Sequence, residues 1–128
     1  MDPQRLWRVA LAGCAFAAVA AAQDPQRGVR LLVQSSALAG FRYHAAQQIW
    51  PELRVGDSLD LAREADNPHD ASAVSLSWRG RKLGYVPRRE NAALAWGLDR
   101  GEALKARISR LVPHPNPARR IEFEIYVE

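Results

Sequence analysis

The sequence predicts a mainly β fold, a small and strongly bent antiparallel sheet or partly open β-barrel of about six strands with one or two short inserted helices. Three observations predict it. Short runs alternate apolar and polar residues with the period of two that a half-buried strand requires. Turn-forming residues such as Gly80 and Pro113 separate the runs. Most runs keep a polar face, which argues against a parallel sheet covered on both sides.

Composition allows one domain with a real core. The chain has 128 residues, 48% of them hydrophobic, which is enough for one domain but not two. The formal net charge is +4, and 16 of the 18 basic residues are arginine. Arginine suits phosphate binding and base stacking, although arginine-rich usage also reflects genome composition. The one cysteine excludes an internal disulfide and a cysteine-based zinc site.

Residues 1–22 are expected to be a targeting segment. Arg5 and Arg8 precede an apolar run that ends in three alanines at Ala22, the pattern of a cleaved signal peptide. The run is shorter than the roughly 20 residues of a membrane span, so we expect none in the mature chain. The protein would then be periplasmic or secreted, and its charge would fall to +3 because the segment carries two arginines and one aspartate.

Two alternatives stay open for this segment. Cys14 ends a Leu-Ala-Gly-Cys sequence that resembles a lipidation site, which would give a lipid-anchored protein. A misassigned start site would instead leave an uncleaved apolar helix and a cytoplasmic protein. In each case residues 23–28 are a polar linker, and residues 29–128 form the barrel domain.

The first half of the barrel domain contains three predicted strands and one helical turn. Val29–Ser35 and Leu59–Ala62 are strands by composition and alternation, and Ala45–Ile49 is long enough for a single helical turn. Ala73–Trp78 is the third strand, with its alanine and serines expected to face away from the core.

The second half begins with an Arg-Gly hairpin turn and a strand over Lys82–Val86. Gly84 within this strand predicts a bulge or a close approach by another backbone or a ligand. Pro87 occupies the first-turn position of a helix expected over residues 88–100, with Gly101 as its C-terminal cap.

The last two strands, Leu104–Val112 and Ile121–Val127, alternate most clearly, and Tyr126 is expected to face outward. The loop Pro113–Pro117 between them has three prolines, which cannot join a ladder. The domain's tryptophans are expected in the core or at the barrel rim; they are Trp50, Trp78 and Trp96.

Five polar side chains crowd one turn between two of these strands. They are Glu64, Asp66, Asn67, His69 and Asp70. Pro68 presets the backbone for a turn, and the Asn67 side chain can hydrogen-bond its own backbone. The cluster is therefore either a self-capped turn or a site.

Three segments together resemble the HIRAN domain family. They are Gly40–His44 (GFRYH), Asp66–Asp70 (DNPHD) with Ala73-Val74 after it, and Leu83–Arg88 (LGYVPR). The family occurs at the N-terminus of certain DNA-repair translocases and as free-standing bacterial proteins. The resemblance spans residues 29–127 and implies an OB-like barrel that binds nucleic acid and is not by itself an enzyme.

The resemblance further implies capture of the 3′ end of single-stranded DNA. Arg42 would hold a phosphate, and Tyr43 would contact a terminal base. Asn67 and His69 would line the end pocket. Asp70 would accept a hydrogen bond from the terminal 3′-hydroxyl and so reject continuous or phosphorylated strands.

Tyr85 and Arg88 would lie along the backbone path of the DNA. The sequence departs from the family pattern at His44 and His69, two positions that are often tyrosine in end-binding relatives. The loop over residues 112–120 also lacks the Phe, Tyr or Trp that an end-binding relative places there.

Two other functions stay open. The N-terminal segment favours an exported module that keeps the fold but holds a protein or an envelope ligand. A metal-dependent hydrolase would have to use His44, His69 and Asp70, and two histidines on separate segments support it weakly. We expect no catalytic residue, no metal site and no cofactor, and the sequence does not indicate an oligomeric state.

Overall fold

A computed structural model describes residues 31–128, so the predicted signal peptide, Cys14 and the linker lie outside the described residues. The described residues form six strands: β1 (Leu31–Ala37), β2 (Ser58–Glu64), β3 (Ala73–Trp78), β4 (Arg81–Tyr85), β5 (Lys105–Leu111) and β6 (Ile121–Val127). All pairings are antiparallel, and the sheet order is β1-β6-β5-β2-β3-β4. The predicted mainly β class is confirmed.

The two edges of the sheet meet and close it into a barrel. Ala39, just after β1, and Tyr85, at the end of β4, each donate a backbone N–H to the other's carbonyl at 2.9 Å. Gly84 permits this contact, because a Cβ there would collide with the Ala39 carbonyl oxygen. The register also shifts beside it, since Leu76 pairs with Gly84 but Ser77 pairs with Lys82. The strand therefore has both features that the glycine predicted.

Within residues 31–128, two short α-helices and four 3₁₀ turns connect the strands. The helices are α1 (Ala46–Ile49) and α2 (Ala92–Asp99), and the 3₁₀ turns are Phe41–Tyr43, Trp50–Glu52, Arg88–Glu90 and Pro117–Arg119. No helix within residues 31–128 is long and apolar enough to cross a membrane.

The single helix predicted over residues 88–100 is wrong. Pro87 opens a 3₁₀ turn closed by the Glu90 N–H, and α2 starts only after Asn91, whose carbonyl accepts the N–H of Ala95. Asn91 is 2% exposed and its side chain is bonded to another element. That tertiary bond fixes Asn91 between the two helical segments. Gly101 does follow α2 with φ +81°, as a C-terminal cap requires.

The core departs from simple alternation in two strands. In β3, Ala73 and Ser75 are each only 3% exposed, although the alternation places them on the face opposite the core. The Arg63 guanidinium donates to the Ala73 carbonyl at 3.0 Å, and the Ser75 hydroxyl donates to the Ala62 carbonyl at 3.4 Å. In β6, Tyr126 is 7% exposed rather than outward, with the Arg107 guanidinium 5.1 Å from its ring centroid.

The tryptophans divide between core and surface. Trp78 is buried in the barrel core and donates its Nε1–H to Asp57 at 3.0 Å. Trp50 is half-buried against the core. Trp96 is 63% exposed on α2, so it does not lie in the core.

Candidate nucleic-acid interface

A cavity of about 630 Å³ opens where the polar turn after β2 meets the end of β4. Its size lies within the roughly 300–1,000 Å³ usual for ligand sites. Seven of the eight predicted site residues line it: Tyr43, His44, Asn67, His69, Asp70, Tyr85 and Arg88. We refer to this space as the end cavity. Residues from three separate segments therefore converge on one space.

The eighth predicted residue, Arg42, lies beside the end cavity. It lines an adjoining depression of about 250 Å³ together with Asn116–Ala118 of the last loop. Tyr43 lines both spaces. We refer to this second space as the middle depression.

The 3₁₀ turn that carries Arg42 and Tyr43 is anchored to the core by Phe41. Gly40 enters it with φ +82°, and Phe41 buries its ring in the core with 3% exposure. Arg42 and Tyr43 are thereby directed outward, and Tyr43 is 81% exposed. An aromatic ring presented in this way is available for base stacking.

The turn between β2 and β3 is capped by its own side chains. Asn67 Oδ1 accepts the His69 N–H at 2.9 Å, and the Asn67 carbonyl accepts the Asp70 N–H at 3.3 Å. Asp70 Oδ1 accepts the Ser72 N–H at 2.9 Å. The turn is thus self-capped, and the two residues that cap it, Asn67 and Asp70, also line the end cavity.

Asn91 orients the Asp70 carboxylate from the other side. Its Nδ2 donates to Asp70 Oδ2 at 2.7 Å. A carboxylate has about four acceptor positions, so the half-buried Asp70 keeps capacity for a ligand donor. Sequence reasoning missed Asn91. An asparagine just before a helical run normally indicates a helix cap, and no capping bond forms here.

A charged network supports the cavity wall below Asn67 and Tyr85. Glu64 accepts hydrogen bonds from Lys82 at 2.6 Å, from the Tyr85 hydroxyl at 2.9 Å and from Asn67 Nδ2 at 3.1 Å. The Lys82 ammonium lowers the pKa of Glu64, and Glu64 in turn raises the pKa of Lys82. Because Lys82 neutralises it, Glu64 can position Tyr85 and Asn67 without placing a free negative charge beside the cavity.

His44 forms an aromatic wall. Its ring meets Tyr85 edge-on, with ring centroids 5.4 Å apart and an interplanar angle of 65°. Burial lowers the pKa of His44, and the nearby Lys82 cation lowers it further. A neutral imidazole is therefore favoured at neutral pH, where it contributes surface rather than charge. Residues 31–128 contain no group of three or more side chains placed to hold a metal.

The HIRAN domain family model matches residues 31–128. The chain belongs to the HIRAN domain family. HIRAN domains are nucleic-acid-binding modules. No match was found among curated proteins.

Two solved structures resemble this HIRAN domain. A crystal structure of a protein from Lactobacillus plantarum has 26% sequence identity and a TM-score of 0.66, covering 77% of this chain and 94% of that chain. The HIRAN domain of human HLTF has 16% identity and a TM-score of 0.56, covering 80% of this chain and 83% of that chain. At 16% identity, the second comparison shows a shared fold and nothing more.

The end cavity of this HIRAN domain combines three chemical features. Asp70 is a fixed acceptor, Tyr43 and Tyr85 are aromatic surfaces, and Arg88 at the rim with Arg42 beside it are cations. Such a set can accept a hydroxyl donor, stack a planar ring and hold a phosphate. Glu64 and Lys82 act behind this surface, and the sequence motifs did not mark Lys82.

Proposed function

We propose that this HIRAN domain binds single-stranded DNA by its 3′ end and is not itself catalytic. The observation that carries the proposal is the placement of the Asp70 carboxylate in the same cavity as the aromatic faces and beside the two flanking arginines. A carboxylate on a path for a polyanion is unfavourable unless the ligand presents a donor to it.

A free 3′-hydroxyl is such a donor, and an internal phosphodiester is not. Asp70 is already oriented by the Ser72 N–H and by Asn91, so little freedom is lost when a hydroxyl binds. A hydrogen bond to a charged group contributes about 1.5–3 kcal/mol. This corresponds to roughly a tenfold to hundredfold preference for an end over an interior position.

Arg42 and Tyr43 supply affinity without reading sequence. A base stacked on an aromatic side chain contributes about 1–3 kcal/mol. Each phosphate contact with a single strand lowers the slope of log K against log salt by about 0.7, so Arg42 and Arg88 together give a slope of roughly −1.4.

The test is a polarisation titration of the full chain with a 5′-labelled single-stranded oligonucleotide that ends in a 3′-hydroxyl. Tyr43→Ala should weaken binding at least about fivefold, the lower end of one stacked base. Arg42→Gln should weaken it several-fold and flatten the salt dependence. Arg79→Gln is the matched control, because Arg79 follows the far end of β3, about 20 Å along the strand from Ala73. Unchanged affinity in both Tyr43→Ala and Arg42→Gln would contradict the proposal.

An exported binding module is the second candidate, favoured by the Arg5–Ala22 pattern. In this case the same end cavity would hold a ligand of the cell envelope. Cell fractionation together with N-terminal sequencing separates the two functions. A periplasmic protein starting near Gln23 supports export, whereas a cytosolic protein with an intact N-terminus removes it.

A further inference from the structure

A second cavity lies on the other side of the 3₁₀ turn Phe41–Tyr43, and end capture at Asp70 does not use it. Its volume is about 290 Å³, just below the roughly 300 Å³ at which small-molecule sites usually begin. The space therefore suits one planar ring system rather than a larger ligand. We refer to it as the tryptophan cavity.

Aromatic and cationic side chains build the tryptophan cavity. Phe41 and Trp50 meet edge-to-face with ring centroids 6.0 Å apart, and Trp50 is half-buried, so part of its indole remains accessible. The Arg120 guanidinium lies 5.1 Å from the Phe41 centroid and donates Nε–H to the His114 carbonyl at 2.7 Å. This bond fixes the proline-rich loop against the barrel. Gln47, which is exposed, adds an amide to the rim.

The three spaces form one track. Tyr43 lines both the end cavity and the middle depression, and Phe41 lines both the middle depression and the tryptophan cavity. Among the described residues that line the three spaces, Asp70 is the one carboxylate, and it lies at one end. The cations Arg88, Arg42 and Arg120 are spread along the track. A polyanion that ends at Asp70 would thus pass over spaces whose lining residues include no further carboxylate.

We propose that the tryptophan cavity is a subsite for a base of the same strand, the third nucleotide counted from the 3′ end, which stacks on Trp50. The inference rests on the proposed function. The terminal nucleotide occupies the end cavity, the second occupies the middle depression, and Arg120 faces the strand as it continues. Aromatic residues and prolines also form grooves for proline-rich peptides. The continuity with the end cavity, the absence of a carboxylate from the lining of the tryptophan cavity and the presence of Arg120 in it favour the nucleic acid strand.

The first experiment varies the length of the ligand. Thymidine oligonucleotides of two, three, four and six residues, each with a 5′ label and a 3′-hydroxyl, are titrated against the full chain. The third nucleotide should tighten binding at least about fivefold, the lower end of one stacked base, and later nucleotides should add little.

The second experiment changes charge at the rim without touching the core. Gln47→Glu should weaken the trimer about fivefold and leave the dimer unchanged, while Gln47→Lys should tighten the trimer. Gln48→Glu is the matched control, because Gln48 is the next exposed residue, lies outside the three spaces and accepts a hydrogen bond from Arg81 at 3.1 Å. A photoreactive 5-iodouracil at the third position should crosslink to peptides that contain Trp50 or His114.

The outcomes separate the two proposals. If the dimer binds and further nucleotides add nothing, the tryptophan cavity is not a base subsite, while end capture stands. If no length binds, both proposals fail. If affinity is independent of length and a proline-rich peptide binds in a manner that Gln47→Glu abolishes, the cavity serves a protein ligand instead. Crosslinks that form elsewhere would also overturn the subsite.

Discussion

Substituting Asp70 by asparagine should convert a site selective for a 3′-hydroxyl into one that tolerates a 3′-phosphate. In the wild type, Asp70 Oδ1 accepts from the Ser72 N–H at 2.9 Å and Oδ2 accepts from Asn91 at 2.7 Å. Asparagine keeps the size and one carbonyl acceptor, and Asn91 can turn its amide to present an oxygen. The fold should therefore persist while the negative charge is lost.

The magnitude follows from two terms. A bond from the 3′-hydroxyl to a carboxylate contributes about 1.5–3 kcal/mol, whereas a neutral acceptor gives about 0.5–1.5 kcal/mol, so the 3′-hydroxyl ligand should weaken roughly fivefold to tenfold. Two unit charges 4 Å apart repel by about 4 kcal/mol at an effective dielectric constant of 20. Because the cavity is open to solvent, we take roughly a third of this repulsion as effective. Loss of the Asp70 charge should therefore tighten the binding of a 3′-phosphate ligand about tenfold.

The assay is competition polarisation with two oligonucleotides that differ only in the 3′-terminal group. Asp66→Asn is the matched control, because Asp66 is an exposed carboxylate in the same turn that does not line the end cavity. The wild type and the control should prefer the hydroxyl, and Asp70→Asn should lose most of that preference. A wild type without a preference, or an Asp70→Asn variant that retains it, would refute the reasoning.

Three further predictions concern the supports of the site. Asn91→Ala should reduce the preference for a 3′-hydroxyl while preserving the salt dependence, and should lower the free energy of unfolding by about 1–3 kcal/mol, because it removes a buried partner of Asp70; an unchanged preference in the titration would contradict it. Gly84→Ala should lower the free energy of unfolding, measured by urea denaturation, by roughly 2–4 kcal/mol, since the new Cβ would force apart the bridge between Ala39 and Tyr85. Because the pKa of Glu64 is lowered in the folded state, ionised Glu64 should stabilise the fold fully above its ordinary pKa of 4.5, and this stabilisation should be lost as the pH falls through the lowered pKa. In thermal melts over this acid range, the melting temperature of Glu64→Gln should therefore fall less than that of the wild type.

Local sequence rules predicted the strands because antiparallel strands with one solvated face carry their own alternation. They failed where tertiary packing covers the second face. Ala73 and Ser75 read as outward residues, yet each is only 3% exposed, with the Arg63 guanidinium on the Ala73 carbonyl and the Ser75 hydroxyl on the Ala62 carbonyl. Tyr126 failed for a related reason, since Arg107 on the neighbouring strand β5 covers its ring.

The candidate site could be predicted to the extent that its residues lie in short motifs. Asn67 and Asp70 share a turn, and the resemblance to the HIRAN family placed Tyr43, Tyr85 and Arg88 beside it. All five residues line the end cavity. Its supporting contacts join residues far apart in the chain. Asn91 reaches Asp70 across 21 positions, and Lys82 reaches Glu64 across 18. No periodicity or spacing in a single sequence reports such pairs.

The comparison of a linear strand with a closed circle tests the central claim most directly. Both ligands have the same length and sequence, so phosphate contacts and base stacking are available to each, and the free end is the difference. The account predicts that the linear strand with a 3′-hydroxyl binds at least about tenfold tighter than the circle, from the hydrogen bond to Asp70. Equal affinity for the two ligands would contradict it.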